Sequence, residues 1–473
     1  MKDYVVSIGL EVHCELKTDT KLLCSCKNAF GGEPNTRICP VCAALPGAMP
    51  SISGQAVELA VKAGLALGCE IQRYSKWDRK NFFYPDSPKA WQTTQAECPL
   101  VRGGKVEYDF RGETKSVRIN RIHLEEDAGK LVHEGDRTLI DLNRCGVPLI
   151  EIVTEPDLHS AEETVAFLEE LKRELRYSGV SDVKMQEGSL RVDVNLSVAE
   201  IGQPMGERTE TKNLNSFSAV KRSCEYEAAR QAEALERGEK IIRETRRWDD
   251  VKGVGYSMRG KEGLDDYRYF TEPDLQPVVL TDEYIESVRA SLPESAKSRV
   301  KRYVTEYGLP EYDAKVLTAE KEISDLFDQT VKYGAAAKKA SNFIMSGVMR
   351  SVKENGGEIC VSGKQIAEIL ALVEEGKISV SAAKNVLLPQ ISTENYDISA
   401  LVEKLGIVQI DDVVALQRLV DEVLEQNRKA VADYASGNKK VLSFLIGSVM
   451  KAAKGKFSPE SVSKTIIKKL EKE

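Results

Sequence analysis

No apolar run in this chain approaches the ~18 residues a membrane-crossing helix needs. The opening Met-Lys-Asp-Tyr-Val-Val has no basic stretch, apolar segment and cleavage site of a secretory leader, and a strand-like pattern begins almost at once. A cytoplasmic location, with no membrane partner, is therefore the expectation. No Gly-x-Gly-x-x-Gly stands between a strand and a helix. The nearest approach to a phosphate loop, Gly255-Tyr-Ser-Met-Arg-Gly260-Lys261, continues with Glu262 where serine or threonine would hold magnesium. It reads as a turn between strands. There is no internal repeat and no low-complexity segment, which excludes a solenoid and a compositionally biased tract. A glutamine-hydrolysing unit is also missing. Cys14 has His13 beside it, but neighbouring strand residues point to opposite faces and cannot form a nucleophile–base pair.

What is present is an ordinary globular composition, 42% hydrophobic and 30% charged, with net charge −7 over 473 residues. That length exceeds what one core usually supports, so two to four domains are expected. Strand patterns occur at 5–16, 116–124, 138–141 and 190–198, among helical patterns near 55–67, 160–179 and 218–238. The helix at Ser160 carries Val165, Leu168, Leu171 and Leu175 at helical spacing, and Glu163 is placed to complete a capping box. After Pro293 the strand-like segments thin out and Ala, Lys, Glu and Leu dominate. The fold class expected is α+β: a mixed N-terminal domain built on antiparallel sheet (1–293), an all-α domain (294–405) and a small helical tail (406–473). In the tail a helix starts near Asp411, with Val413, Leu416, Val420, Val423 and Leu424 in one stripe, and Ser458-Pro459 resembles a helix start. Residues 436–473 hold nine lysines against three glutamates.

Two constellations carry chemistry. Cys24-Ser-Cys26, twelve residues, then Cys39-Pro-Val-Cys42 is two close pairs joined by a loop, the spacing that suits tetrahedral thiolate coordination of a structural zinc ion. The second is a set of acids on strands. In the first strand Val6, Ile8, Leu10, Val12, Cys14 and Leu16 alternate with Glu11, His13 and Glu15, so Glu11 and His13 share a face. Asp193 and Asn195 do the same in the segment at 190–198, and His123 and Glu125 share a side if their segment is a strand. Glu151 interrupts the apolar run Pro148-Leu-Ile-Glu-Ile-Val153, and Glu210 lies in Thr209-Glu-Thr-Lys-Asn-Leu-Asn215. A solvated sheet face is one reading. However, such faces usually mix both charge signs, and an acid within an apolar run is costly to bury uncompensated. A divalent cation would compensate several acids together; oxygen ligands suit magnesium, which commonly holds nucleotide phosphates. A zinc deaminase is the competing pattern, from His13-Cys-Glu15 and the later Cys39-Pro-Val-Cys42, but its proline is misplaced and Cys24 and Cys26 would have no task.

Several stretches resemble the B subunit of the bacterial aspartyl/glutamyl-tRNA amidotransferase: Ile8-Gly-Leu-Glu-Val-His13, Lys80-Asn-Phe-Phe-Tyr-Pro-Asp86, Arg121-Ile-His-Leu-Glu-Glu-Asp-Ala-Gly-Lys130, Ile140-Asp-Leu-Asn-Arg-Cys-Gly-Val-Pro-Leu-Ile-Glu-Ile-Val153 and Lys212-Asn-Leu-Asn-Ser216. The resemblance implies a cradle-shaped catalytic domain, a helical domain and a tail that grips tRNA. It implies a heterotrimer with an amidase-type A subunit, which supplies ammonia, and a small C subunit. The reaction implied is ATP-dependent phosphorylation of the side-chain carboxylate of misacylated Glu-tRNA(Gln) or Asp-tRNA(Asn), then amidation. Magnesium and ATP ligands would fall on Glu11, His13, Glu125, Glu151 and Glu210, with Lys80 and Asp193 assisting and Glu126 one position from Glu125. Lys439, Lys440, Lys451, Lys454 and Lys456 would meet the tRNA backbone. A non-enzymatic tRNA-binding adaptor, its acids merely a solvated face, is the alternative function.

Overall fold

The computed structural model describes residues 3–260, 267–391, 397–408, 413–436, 438–439, 441–453, 457 and 459–470. The chain divides into two compact units, Met1–Ser295 and Ala296–Glu473. Expectations at Lys261, Glu262, Asp411, Lys440, Lys454, Lys456 and Ser458 lie outside the described residues. Among the described residues no helix is long and apolar enough to cross a membrane.

Unit 1 is organised by a ten-stranded sheet. Its strands are β1 (Tyr4–Glu15), β2 (Glu70–Ile71), β3 (Val101–Arg102), β4 (Lys105–Phe110), β5 (Glu113–Glu126), β6 (Pro148–Thr154), β7 (Leu190–Glu200), β8 (Thr209–Leu214), β9 (Glu244–Asp249) and β10 (Val254–Gly260). Their order is β10-β9-β8-β7-β1-β6-β5-β3-β2, with β4 also paired to β5. Every pairing is antiparallel except β8–β9. That parallel step requires a crossover, supplied by helix α3 (Phe217–Glu236), which follows α1 (Gly54–Ala66) and α2 (Ala161–Tyr177) in the chain.

One sheet face is apolar because the strand period is two. Ile8, Leu10, Val12 and Cys14 of β1 join Leu59 of α1, Phe167 and Leu171 of α2 and Val220 of α3 in one core. Each such aliphatic side chain contributes roughly 1.5–3 kcal/mol by leaving water. The three helices start at serine caps, where Ser53, Ser160 and Ser216 accept from the N–H groups of Ala56, Glu163 and Ala219. With that face covered by helices, the opposite face of β1 and its neighbours carries the polar side chains.

Two local expectations need correction. Glu163 does not close a capping box on Ser160. Its carboxylate accepts from the His159 N–H at 2.9 Å, Tyr108 Oη at 2.9 Å and Lys115 Nζ at 2.8 Å. A buried phenol and an ammonium outcompete the helix's own N–H group. The segment at 255–260 is not a turn but part of β10, paired with β9. The strand near 138–141 is Arg137–Asp141, in a separate ribbon with Lys130–Glu134.

Unit 2 is helical and holds two cores. The helices from Ala296–Thr305 to Ile398–Lys404 enclose Tyr303, Phe327, Phe343, Ile366 and Leu387. The helices Val413–Gln426, Arg428–Ala435, Val441–Ala452 and Pro459–Leu470 pack around Leu416, Val420, Val423, Leu445, Val449, Val462 and Ile466.

Candidate active site

The register of the central strands assembles the polar face. His13 lies opposite Glu151, and Glu151 opposite His123 on its other side. Glu11 lies opposite Asp193, Asn195 opposite Glu210, and Glu210 beside Thr245. Between Thr211 and Leu214, β8 carries one extra residue relative to β7, with Asn213 in the left-handed region at φ 69°. Beside this bulge Lys212 meets Asp193.

The acids form two groups rather than one. In the first, His13 Nε2 is 3.2 Å from Glu125 Oε1 and 3.4 Å from Glu151 Oε2. His123 Nε2 stands 3.7 Å from Glu125 and 3.6 Å from Glu151. Burial works against the charged form of His13, but its hydrogen bonds to Glu125 and Glu151 prevail and push it up to about 10. Burial likewise opposes ionisation of Glu151, yet the His123 and His13 charges hold it down at about 2; Glu125 is held well below the usual carboxylate range in the same way. The second group is Glu11, Asp193 and Glu210. Asn195 Nδ2 donates to Glu11 Oε1 at 2.9 Å, and Thr245 Oγ1 donates to Glu210 Oε2 at 2.9 Å. Lys212 Nζ donates to Asp193 Oδ2 at 2.6 Å and lies 3.1 Å from Glu210 Oε1. Burial opposes the Lys212 charge, but Asp193 and Glu210 raise it well above the ordinary lysine value.

Within each group the potential ligand atoms all lie within 4.8 Å of one another. Each set can hold a cation, and its oxygen-rich chemistry fits magnesium better than a soft metal. Glu126 belongs to neither group: its carboxylate accepts from Lys89 Nζ and, at 2.8 Å, from the Thr93 N–H.

Both groups open into one cleft of about 830 Å³. Lys80, Arg121, Arg208, Arg243 and Arg268 also line it. Among the described residues none of these five cations has a carboxylate within ion-pair distance. Lys80 Nζ sits 4.8 Å from the Tyr267 ring centroid. Burial would lower its pKa, but the charges of Glu125 and Glu151 keep it above the ordinary value. Among the described residues Arg121 Nε, which is buried, has no hydrogen-bond partner. An acidic floor faced by cations that no described carboxylate pairs is an arrangement for a metal-bound polyanion.

Of the residues singled out from sequence, Glu11, His13, Glu125, Glu151, Glu210 and Lys80 line this cleft, and Asp193 lies beside it in the second acid group. Lys212 escaped notice although it stands two positions after Glu210 and so shares its face. Arg121 was given no role either, although it stands two positions before His123 on the same strand and so shares its face; Arg208 and Arg243 left no signal, because they come from distant parts of the chain with no common spacing.

The cysteines assemble apart from this cleft. The sulfurs of Cys24, Cys26, Cys39 and Cys42 lie within 4.8 Å of one another. Four thiolates roughly 2.3 Å from a zinc ion would sit about 3.8 Å apart, so the cluster fits that ion. The Cys39 N–H donates to Cys42 Sγ at 3.2 Å, and the buried Lys21 Nζ approaches the same sulfur at 3.7 Å. Contact with the Cys24 thiol, helped by the Cys39 N–H and Lys21, holds Cys42 down at about 4 against the effect of burial. His13 is grouped with Glu125 and Glu151 rather than with sulfur, so the zinc-deaminase ligand set does not form.

A largely antiparallel sheet with paired acid groups in a basic-rimmed cleft, joined to a helical unit, defines a class. Residues 6–286 match the family model described as the GatB/GatE catalytic domain, and residues 325–470 match the one described as the GatB domain. A relative from Caldicellulosiruptor bescii, named as the B subunit of aspartyl/glutamyl-tRNA(Asn/Gln) amidotransferase, is 50% identical, covering 99% of this chain and 100% of its own length. Relatives of the same name from Lachnoclostridium phytofermentans and Thermoanaerobacter pseudethanolicus are 46% and 48% identical, covering 100% and 99% of this chain and all of their own. The chain belongs to the family of aspartyl/glutamyl-tRNA(Asn/Gln) amidotransferase B subunits.

Proposed function

We propose that this chain is the amide-forming subunit of a cytoplasmic, glutamine-dependent tRNA amidotransferase, acting on Glu-tRNA(Gln), Asp-tRNA(Asn) or both. The observation that carries the reading is the meeting, in one cleft of a chain of this family, of two acid groups and five cations that have no carboxylate partner among the described residues. Its partners are an amidase-type A subunit, which frees ammonia from glutamine, and a small C subunit. A structural zinc ion is held by Cys24, Cys26, Cys39 and Cys42.

The side-chain carboxylate of the misacylated residue is a poor acyl donor, because its oxygen leaves badly. One of its oxygens attacks the γ-phosphorus of ATP, the bond to the β,γ-bridging oxygen breaks, and ADP departs. Ammonia then attacks the acyl carbon, the carbon–oxygen bond to phosphate breaks, and inorganic phosphate leaves as nitrogen sheds a proton. Lys80 and Arg121 lie at the acid floor and offset the approach of carboxylate to triphosphate. Glu11, Asp193 and Glu210 in one group, and His13, Glu125 and Glu151 in the other, would hold magnesium. When bound, magnesium supplies positive charge to the phosphates. Asn195, Thr245 and Lys212 fix the orientation of the second group by hydrogen bonds. The exposed Lys439 and Lys451 in the last helical unit contact the tRNA backbone.

The test uses the chain assembled with its A and C partners and ammonium as nitrogen source. Amide should appear only when ATP, magnesium and misacylated tRNA are all present. Binding of tRNA without ATP-dependent amide would overturn the reading and leave an adaptor.

A further inference from the structure

The loop that follows the cleft's Lys80 exposes large aromatic side chains. In it Phe83 is 74% exposed and Tyr84 is 48% exposed, while Phe270, on the short strand Phe270–Thr271 paired with Arg79, is 49% exposed. A phenylalanine that leaves three quarters of its surface in water forgoes most of its burial energy, and clustered exposed aromatics mark a binding surface. Arg268 reaches over the Phe83 ring, its guanidinium carbon 5.7 Å from the centroid. Arg268 also lines the cleft, so the aromatic surface is continuous with the proposed active site.

Arg268 is held there by its backbone. Asn81 Nδ2 donates to the carbonyl of Tyr267 at 3.2 Å and to that of Arg268 at 2.7 Å. Arg268 itself sits at φ 44°, a conformation that non-glycine residues adopt at a cost. The clamp ties the backbone at Arg268 to the strand that carries Lys80, next to the loop that bears Phe83. Among the described residues Arg268, Arg243 and Arg208 have no carboxylate partner. Flat apolar faces beside cations with no described carboxylate partner complement a polyanion that carries flat apolar groups, which is single-stranded nucleic acid.

We propose that Phe83, with Arg268 beside it, is the stacking platform for an unpaired base at the single-stranded 3′ end of the tRNA substrate. This rests on the function proposed above and locates where the RNA strand enters the same cleft. The platform is open to solvent, so it accepts a base on the end of a large ligand from outside. Stacking is indifferent to base identity and fixes the strand by its ring face.

Two measurements on the assembled complex test this. First, tRNA carrying 2-aminopurine near its 3′ end should lose fluorescence on binding the wild type, lose little on binding Phe83→Ala, and lose it again with Phe83→Trp. Second, with ammonium as donor, Phe83→Ala should raise the KM for misacylated tRNA about tenfold while the KM for ATP stays within twofold. Equal quenching by Phe83→Ala, or an unchanged KM for tRNA, overturns the proposal. A rise in the KM for ATP instead assigns the ring to the adenine of ATP, and failure of Phe83→Ala to co-purify with the A and C subunits makes the patch a protein interface. Either result also overturns it. A wild-type complex that makes no ATP-dependent amide refutes the proposed function separately, because the fluorescence measurement needs no turnover.

Discussion

Replacing Glu151 with glutamine keeps the side chain's shape and removes one charge from the group it forms with His13 and Glu125. Glu151 is buried and lies in register between His13 and His123. A unit charge about 4 Å from another contributes roughly 4 kcal/mol at an effective dielectric near 20. The amide oxygen remains a weak ligand, so the net loss should be about 2–4 kcal/mol for a divalent cation, some 30- to 1,000-fold in affinity. The assay is a magnesium titration of ATP-dependent amide formation with ammonium as donor. Half-saturation should move at least 30-fold, while tRNA binding stays within twofold. A magnesium dependence within threefold of wild type would refute the electrostatic argument. A parallel fall of tRNA binding and thermal stability would assign Glu151 to the fold instead.

Three other outcomes follow from the same geometry. Glu163→Ala leaves the buried Tyr108 hydroxyl without its acceptor and should cost about 3 kcal/mol in urea unfolding, with Tyr108→Phe in the same chain recovering part of it. Burial opposes ionisation of Glu163, but Lys115, the His159 N–H and Tyr108 hold its carboxyl below the usual range. Its contribution is therefore present above about pH 4.5 and fades as pH falls through the lower folded value, so the gap between wild type and Glu163→Ala should close in acid; a constant gap down to about pH 3 counts against this. Purified protein should carry zinc lost on Cys39→Ser, with new protease cleavage between Cys26 and Cys39, since such a site contributes roughly 10 kcal/mol to local folding; metal analysis that finds no zinc in the wild type removes the site. Lys439→Glu with Lys451→Glu should weaken tRNA binding and flatten its salt dependence without changing the KM for ATP, and an unaltered salt slope would exclude those lysines as backbone contacts.

Several features were legible because they are local. Alternation in β1 predicts that Ile8, Leu10 and Val12 face a core and that Glu11 and His13 face away from it, and the structure buries the first three with α2 and α3. The serine at 160 predicts a helix start, because a cap acts over three residues. Glu163 defeated the same local reasoning, since its competing partners, Tyr108 and Lys115, arrive from another strand and the start of β5. The segment at 255–260 misled in a similar way. Its glycines suggest a turn, yet pairing with β9 satisfies the backbone hydrogen bonds of an extended strand.

The sequence by itself determined which residues share a strand face, which cysteines stand in pairs and where strands yield to helices, because period, spacing and capping act within a few residues. Only the tertiary structure decided that the acids divide into two groups, that Glu126 turns to Lys89 while Glu125 turns to His13, and that Arg121, Arg208, Arg243 and Arg268 surround them. Those outcomes depend on the register between strands far apart in the chain. Shifting one strand by a single residue would send the same side chains to the opposite face.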